Sequence, residues 1–170
     1  MATQDMGRGR LEMANATLYV ETTIVSYLTA WPGRDLVVAA RQQITGEWWK
    51  EQRHRFSVFA SQFVLDEASQ GDPDAARRRL DLLKGIPLLK SDEAVVELAE
   101  ELIRESILPA KAVTDAFHIS LAAVHRMDYL LTWNCRHLAN AEMAVSVGRL
   151  IRGKGYEPSV ICTPDELMGG

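Results

Sequence analysis

Short apolar runs alternate with longer amphipathic stretches along the whole chain. Residues 17–20, ending in "LYV", read as a short buried strand, and "TTIVSYLT" behind them as a helix. "RDLVVAARQQITGEWWKEQRH", from Arg34, has apolar residues near helical spacing. "FSVFAS" (56–61) is a second strand, and "QFVLDEASQ" a helix that stops at Gly71. "DPDAARRRLDLLKGI" opens with an aspartate cap and a proline at the first helical position and ends at Gly85. "PLLK" is a short extended piece before a helix capped at Ser91 or Asp92 and broken at Leu108–Pro109. "AKAVTDAFHISLAAVHRM" is a long apolar helix, and "DYLLTWN" the next strand. "ANAEMAVSVGRLIRGKG" is a helix ending in glycines; "EPSVICTPDELM" holds a last strand with a turn or short helix behind it.

Short apolar strands separated by helices predict a parallel sheet covered on both faces. The expected fold class is α/β: a three-layer α/β/α sandwich with a central, mostly parallel sheet. Residues 17–170 make one domain, behind a flexible lead-in over residues 1–16.

Composition narrows the function classes. A chain of 170 residues, 47% hydrophobic and 25% charged, buries a real core and is not disordered. The net charge of −4 argues against coating or packaging nucleic acid, and leaves room for an enzyme that touches it through local patches. Two cysteines, Cys135 and Cys162, are too few for a disulfide scaffold or a cysteine-rich zinc site. No apolar run approaches the roughly 20 residues of a membrane span. "MATQDMGRGRLEMANAT" lacks the apolar centre of a secretory signal, and Met13 offers an alternative start. The expected compartment is the cytoplasm, with no membrane partner.

In open α/β sheets, sites lie beyond the carboxyl ends of the strands. Glu21 follows the first strand, Asp66 and Glu67 follow the second, Asn134 and His137 follow "YLLT", and Asp115 opens the long helix. Singly, each has a plain reading. Asp115 suits the first turn of a helix, and Glu67 a solvated helix face. Glu21, directly behind "LYV", is costly to bury without a partner. Jointly, three acids on one rim repel unless a proton or a cation joins them. Oxygen ligands suit Mg2+ or Mn2+.

The order of these motifs is similar to that of the PIN domain, the nuclease fold of VapC-type toxins. The resemblance runs from "LYVETTIVSYL" to "VICTPDEL", about 150 residues. It rests on an acid followed by Thr-Thr, on "SQFVLDEAS", on "TDAFHISLAA" and on "YLLTWN". Carried over position by position, it implies Glu21, Glu67 and Asp115 as metal ligands. Thr23 matches the hydroxyl beside the first acid, and Thr132 the one before the fourth position. Glu21 stands where the family usually has aspartate, Asn134 where it has an acid, and His137 where an aspartate often follows. Both later departures thin the negative charge.

The resemblance implies a metal-dependent endoribonuclease, the toxin of a toxin–antitoxin pair, working with Mg2+ or Mn2+. Glu21, Glu67 and Asp115 would hold the ion, with Asn134 and Thr23 orienting a water. Its partners would be an RNA substrate, a cognate antitoxin and a second copy of itself, through "VVAARQQITGEWW". A PIN-like RNA- or protein-binding module with weakened catalysis is the alternative, favoured by Asn134. An α/β domain unrelated to nucleases is a third reading.

Neighbouring residues have competing roles. Adjacent helix positions point about 100° apart, so only one of Asp66 and Glu67 faces the rim, and the motif favours Glu67. His118, one turn after Asp115, is within reach of the site or is a core histidine. Cys135 and His137 would suit a thiol nucleophile, but no oxyanion-hole motif accompanies them. Trp48 and Trp49 offer rings for bases or for packing. Arg41, Lys50, Arg53 and Arg77 to Arg79 are solvated helix charges or guides for a phosphate backbone.

Overall fold

Residues Ala16–Val20 form β1, and its last three side chains are buried. In the computed structural model, which describes residues 14–169, this strand is the centre of a five-stranded sheet. The expected lead-in falls outside the described residues up to residue 13, as does Met13. β1 itself begins one residue earlier than the pattern predicts.

The other strands are β2 (Phe56–Ser61), β3 (Leu88–Leu89), β4 (Tyr129–Leu131) and β5 (Val160–Cys162). They lie in the order β3-β2-β1-β4-β5, and every pairing is parallel. Among the described residues, seven α-helices flank this sheet: α1 (Thr22–Thr29), α2 (Leu36–Glu51), α3 (Gln62–Ala68), α4 (Pro73–Leu83), α5 (Glu93–Arg104), α6 (Val113–Val124) and α7 (Ala141–Gly153). The fold is the expected α/β/α sandwich, and its sheet is parallel throughout.

The layers follow from the handedness of parallel crossovers. β1 to β2 to β3 steps one way, so α1 to α4 share a face, where α1 touches α2, α3 and α4. The chain then crosses back over β1 to β4 and β5. That reversal puts α5, α6 and α7 on the other face, with α5 packed on α6 and α7. The reversal makes the gap between β1 and β4 the topological switch point, where a crevice opens at the carboxyl ends.

Caps explain most helix starts. Asp35, Asp72, Asp92 and Asn140 each accept backbone N–H bonds at the head of α2, α4, α5 and α7. Arg78 Nε donates to Thr29 O behind α1, and Arg79 Nε to Ala68 O behind α3, so two of the expected phosphate guides satisfy helix ends. Arg53 lies over the Trp49 ring, and Trp48 is fully buried against Phe56, which removes Trp48 as a base-stacking platform.

Two elements are shorter than their apolar patterns. α6 spans Val113–Val124 within the expected 110–127. It stops at Arg126, whose φ of 54° lets Met127 N donate to Ala122 O at 2.8 Å. β4 ends at Leu131, not Asn134: Thr132 N still bonds Cys162 O of β5 at 3.0 Å, but the two donors after it leave the ladder for side chains. Trp133 N bonds Thr23 Oγ1 at 2.8 Å, and Asn134 N bonds Thr132 Oγ1 at 2.9 Å. No helix among the described residues is long and apolar enough to cross a membrane.

Candidate metal centre

Glu21 is the residue between β1 and α1, at the switch point, and it is 5% exposed. Its Oε2 accepts from Thr23 Oγ1 at 2.6 Å and from Thr132 Oγ1 at 2.8 Å. Thr132 follows β4 and is fully buried. Its hydroxyl also accepts Asn134 N–H, so it ties the end of β4 to the end of β1. The two threonines therefore hold one face of a buried carboxylate. Among the described residues, no donor reaches the other oxygen, Oε1.

Glu67 enters from α3, and Asp66 does not. Asp66 is exposed and bonded to Gln62, whereas Glu67 points to the rim. Glu67 Oε2 accepts from Thr22 Oγ1 and lies 3.1 Å from His118 Nε2. Burial raises the Glu67 pKa, but the bonds from His118 and Thr22 and the His118 charge outweigh it. The carboxyl ends below its ordinary value. Its Oε1, like that of Glu21, has no donor among the described residues.

His118, from α6, is 1% exposed. Its Nδ1 lies 2.7 Å from the Tyr19 hydroxyl, which lies 2.7 Å from Ser61 Oγ. Burial holds the Tyr19 phenol well above its ordinary pKa, so it keeps its proton. A line of polar groups thus runs under the rim: Ser61, Tyr19, His118, Glu67, Thr22. Glu21, Glu67 and His118 each offer a ligand atom, and these atoms lie within 4.8 Å of one another.

Asp115 does not join this group. It lies in the first turn of α6, three residues before His118, and its carboxylate is engaged elsewhere. Asn134 Nδ2 donates to Oδ1 at 3.0 Å, and His137 Nδ1 lies 2.8 Å from Oδ2. Asn134 Oδ1 in turn accepts His137 N–H. The expected fourth position is therefore a clamp on the third acid. Hydrogen bonds still join the two clusters, through Glu21, Thr132, Asn134 and Asp115.

Of the expected site residues, Glu21, Glu67 and Thr23 meet directly around the switch point, and Asn134 and Asp115 pair beside it. Thr22 and Ser61 lie in stretches that the sequence marks, but with no role of their own there, and Tyr19 carries no expectation as a site residue. A tyrosine inside the central strand was a usable signal, because a buried phenol needs a polar partner. Arg41 holds its guanidinium 5.1 Å from the ring of Trp133, the residue after Thr132. Cys135 is exposed and Cys162 buried, with burial pushing the Cys162 thiol up to about 12.

The donor set fits a divalent cation. Two carboxylates, one of them deeply buried, keep one oxygen each without a protein donor, and an imidazole stands beside them. Comparison with protein-family models, with curated proteins and with solved structures finds no match to this chain.

Proposed function

We propose that this protein is a metal-dependent endoribonuclease of the PIN type, the toxin of a toxin–antitoxin pair. The observation that carries this reading is the meeting of Glu21 and Glu67, from separate segments, at the switch point of a parallel sheet. Carboxylates so placed are stable together with a cation between them. Mg2+ or Mn2+ there would acidify a water and offset the charge that builds on a phosphodiester.

The chain's own groups have separable tasks. Thr23 and Thr132 fix the Glu21 carboxylate, and Thr22 fixes that of Glu67. Asp115 adds the third negative charge of the rim, and Asn134 holds it in place. Arg41, held over the ring of Trp133, would supply a positive group for a phosphate. RNA is the substrate in this reading and the cytoplasm its compartment. A cognate antitoxin and a second copy of the chain are its partners. Leu36 and Val37, exposed at the head of α2, offer apolar surface for either.

The second reading is a PIN-like binding module without catalysis. It is favoured by the Asn134 and His137 bonds that engage both oxygens of Asp115. Cleavage assays on structured and unstructured RNA separate the two. The nuclease reading expects cleavage with Mg2+ or Mn2+, none in chelator, and loss in Glu21→Gln and Asp115→Asn. RNA bound but intact under every ion condition would leave the binding module.

A further inference from the structure

The imidazole at this site is placed to do more than neutralise a carboxylate. His118 is almost wholly buried, and its two nitrogens face different partners. Nε2 looks toward Glu67, and Nδ1 toward the Tyr19 hydroxyl. With the ring proton on Nε2, that nitrogen donates to Glu67, and Nδ1 accepts from Tyr19. With the proton on Nδ1, it donates to the Tyr19 oxygen, and Tyr19 donates onward to Ser61 Oγ. Hydroxyls both donate and accept, so the Tyr19–Ser61 pair serves either tautomer. The second tautomer turns the Nε2 lone pair toward Glu67 and Glu21 and leaves no buried ring N–H without an acceptor.

Metal-bound histidines commonly donate the other ring N–H to an oxygen, which fixes the tautomer. Tyr19 supplies that oxygen from the central strand, and Ser61 backs it from the end of β2. Glu21 and Glu67 each bring a carboxylate oxygen within 4.8 Å of the imidazole, and each has an Oε1 that no donor among the described residues engages. Asp115, by contrast, already receives Asn134 and His137.

We propose that His118 Nε2, with Glu21 and Glu67, forms a three-ligand site of one nitrogen and two oxygens, selective for a first-row transition ion over Mg2+. Imidazole suits such ions, whereas Mg2+ keeps to oxygen ligands and water. This deepens the metal-centre reading above and rests on it, but it stands apart from whether RNA is cut.

The test is Mn2+ binding to the metal-free full chain, followed by calorimetry and by pulsed electron paramagnetic resonance. The expected spectrum of the Mn2+-loaded wild type carries a 14N coupling from imidazole, and Mn2+ binds more tightly than Mg2+. His118→Gln removes the 14N coupling and most of the preference. Tyr19→Phe, which leaves every ligand in place, weakens Mn2+ by about tenfold or more and leaves Mg2+ little changed. A wild-type spectrum without nitrogen coupling overturns the proposal, whatever the variants do, and so does equal affinity for the two ions. Nitrogen-coupled Mn2+ in a protein that leaves RNA intact supports this proposal and defeats the nuclease. RNA cleaved with Mg2+ and Mn2+ alike, and no nitrogen coupling, does the reverse.

Discussion

Glu67 is held below its ordinary pKa against the pull of burial, because His118 and Thr22 both bond its charged form. A carboxyl depressed in the folded state binds fewer protons there than when unfolded. Its contribution to stability is therefore present above the unfolded pKa and is lost as the pH falls through the folded one. Urea unfolding of the metal-free protein, from about pH 6 down to about pH 3, reads this directly. Wild type is expected to lose more stability over that range than Glu67→Gln; an equal loss in both would mean that the His118 and Thr22 bonds do not favour the charged form. Thr132 carries a second prediction. Its buried hydroxyl donates to Glu21 and accepts Asn134 N–H. Thr132→Val removes both bonds and leaves a buried carboxylate short of a donor. It is expected to cost about 1–3 kcal/mol in urea unfolding. A change near zero would show that solvent replaces the hydroxyl freely. At this scale the sequence was partly legible. Glu21 and Glu67 stand out because an acid directly behind a buried strand, or behind a capped turn, lies at a strand's carboxyl end. The Tyr19–His118 pair is set by packing between residues 99 positions apart, which local pattern does not encode.

At the scale of the element, starts were easier to read than ends. Asp72 with Pro73, and Asp92, mark helix heads by their chemistry, and the structure uses them so. α6 has no such mark. Ala112 precedes it and offers no side-chain cap, while apolar spacing runs on past both ends. Its termination depends instead on Arg126 taking a left-handed conformation, which glycine adopts without strain. Arg126→Gly is expected to be neutral or to stabilise by up to about 1 kcal/mol, since relief of the strained φ offsets the added freedom of the unfolded chain. A clear loss in thermal unfolding would show that the exposed Arg126 side chain stabilises the turn. β4 teaches a related lesson. "DYLLTWN" reads as one strand, yet Trp133 and Asn134 give their N–H groups to Thr23 and Thr132. The same two hydroxyls fix Glu21, so the shortened strand and the site share one cause.

For the molecule as a whole, the alternation of short strands and helices gives the fold class, but not the strand order. That order depends on the crossover returning over β1, and this return makes the switch point beside Glu21. It brings the ends of β1, β2 and β4, and the heads of α1, α3 and α6, to one rim. In the reading proposed above, this rim is an ion site built on Glu21, Glu67 and His118. The deciding measurement is anomalous diffraction from crystals of the full chain grown with Mn2+. One strong peak is expected, bonded to Glu21, Glu67 and His118 Nε2 and absent from Glu21→Gln crystals grown in the same way. A peak held by Asp115 and His137 alone, or no peak at the rim in Mn2+, would contradict it.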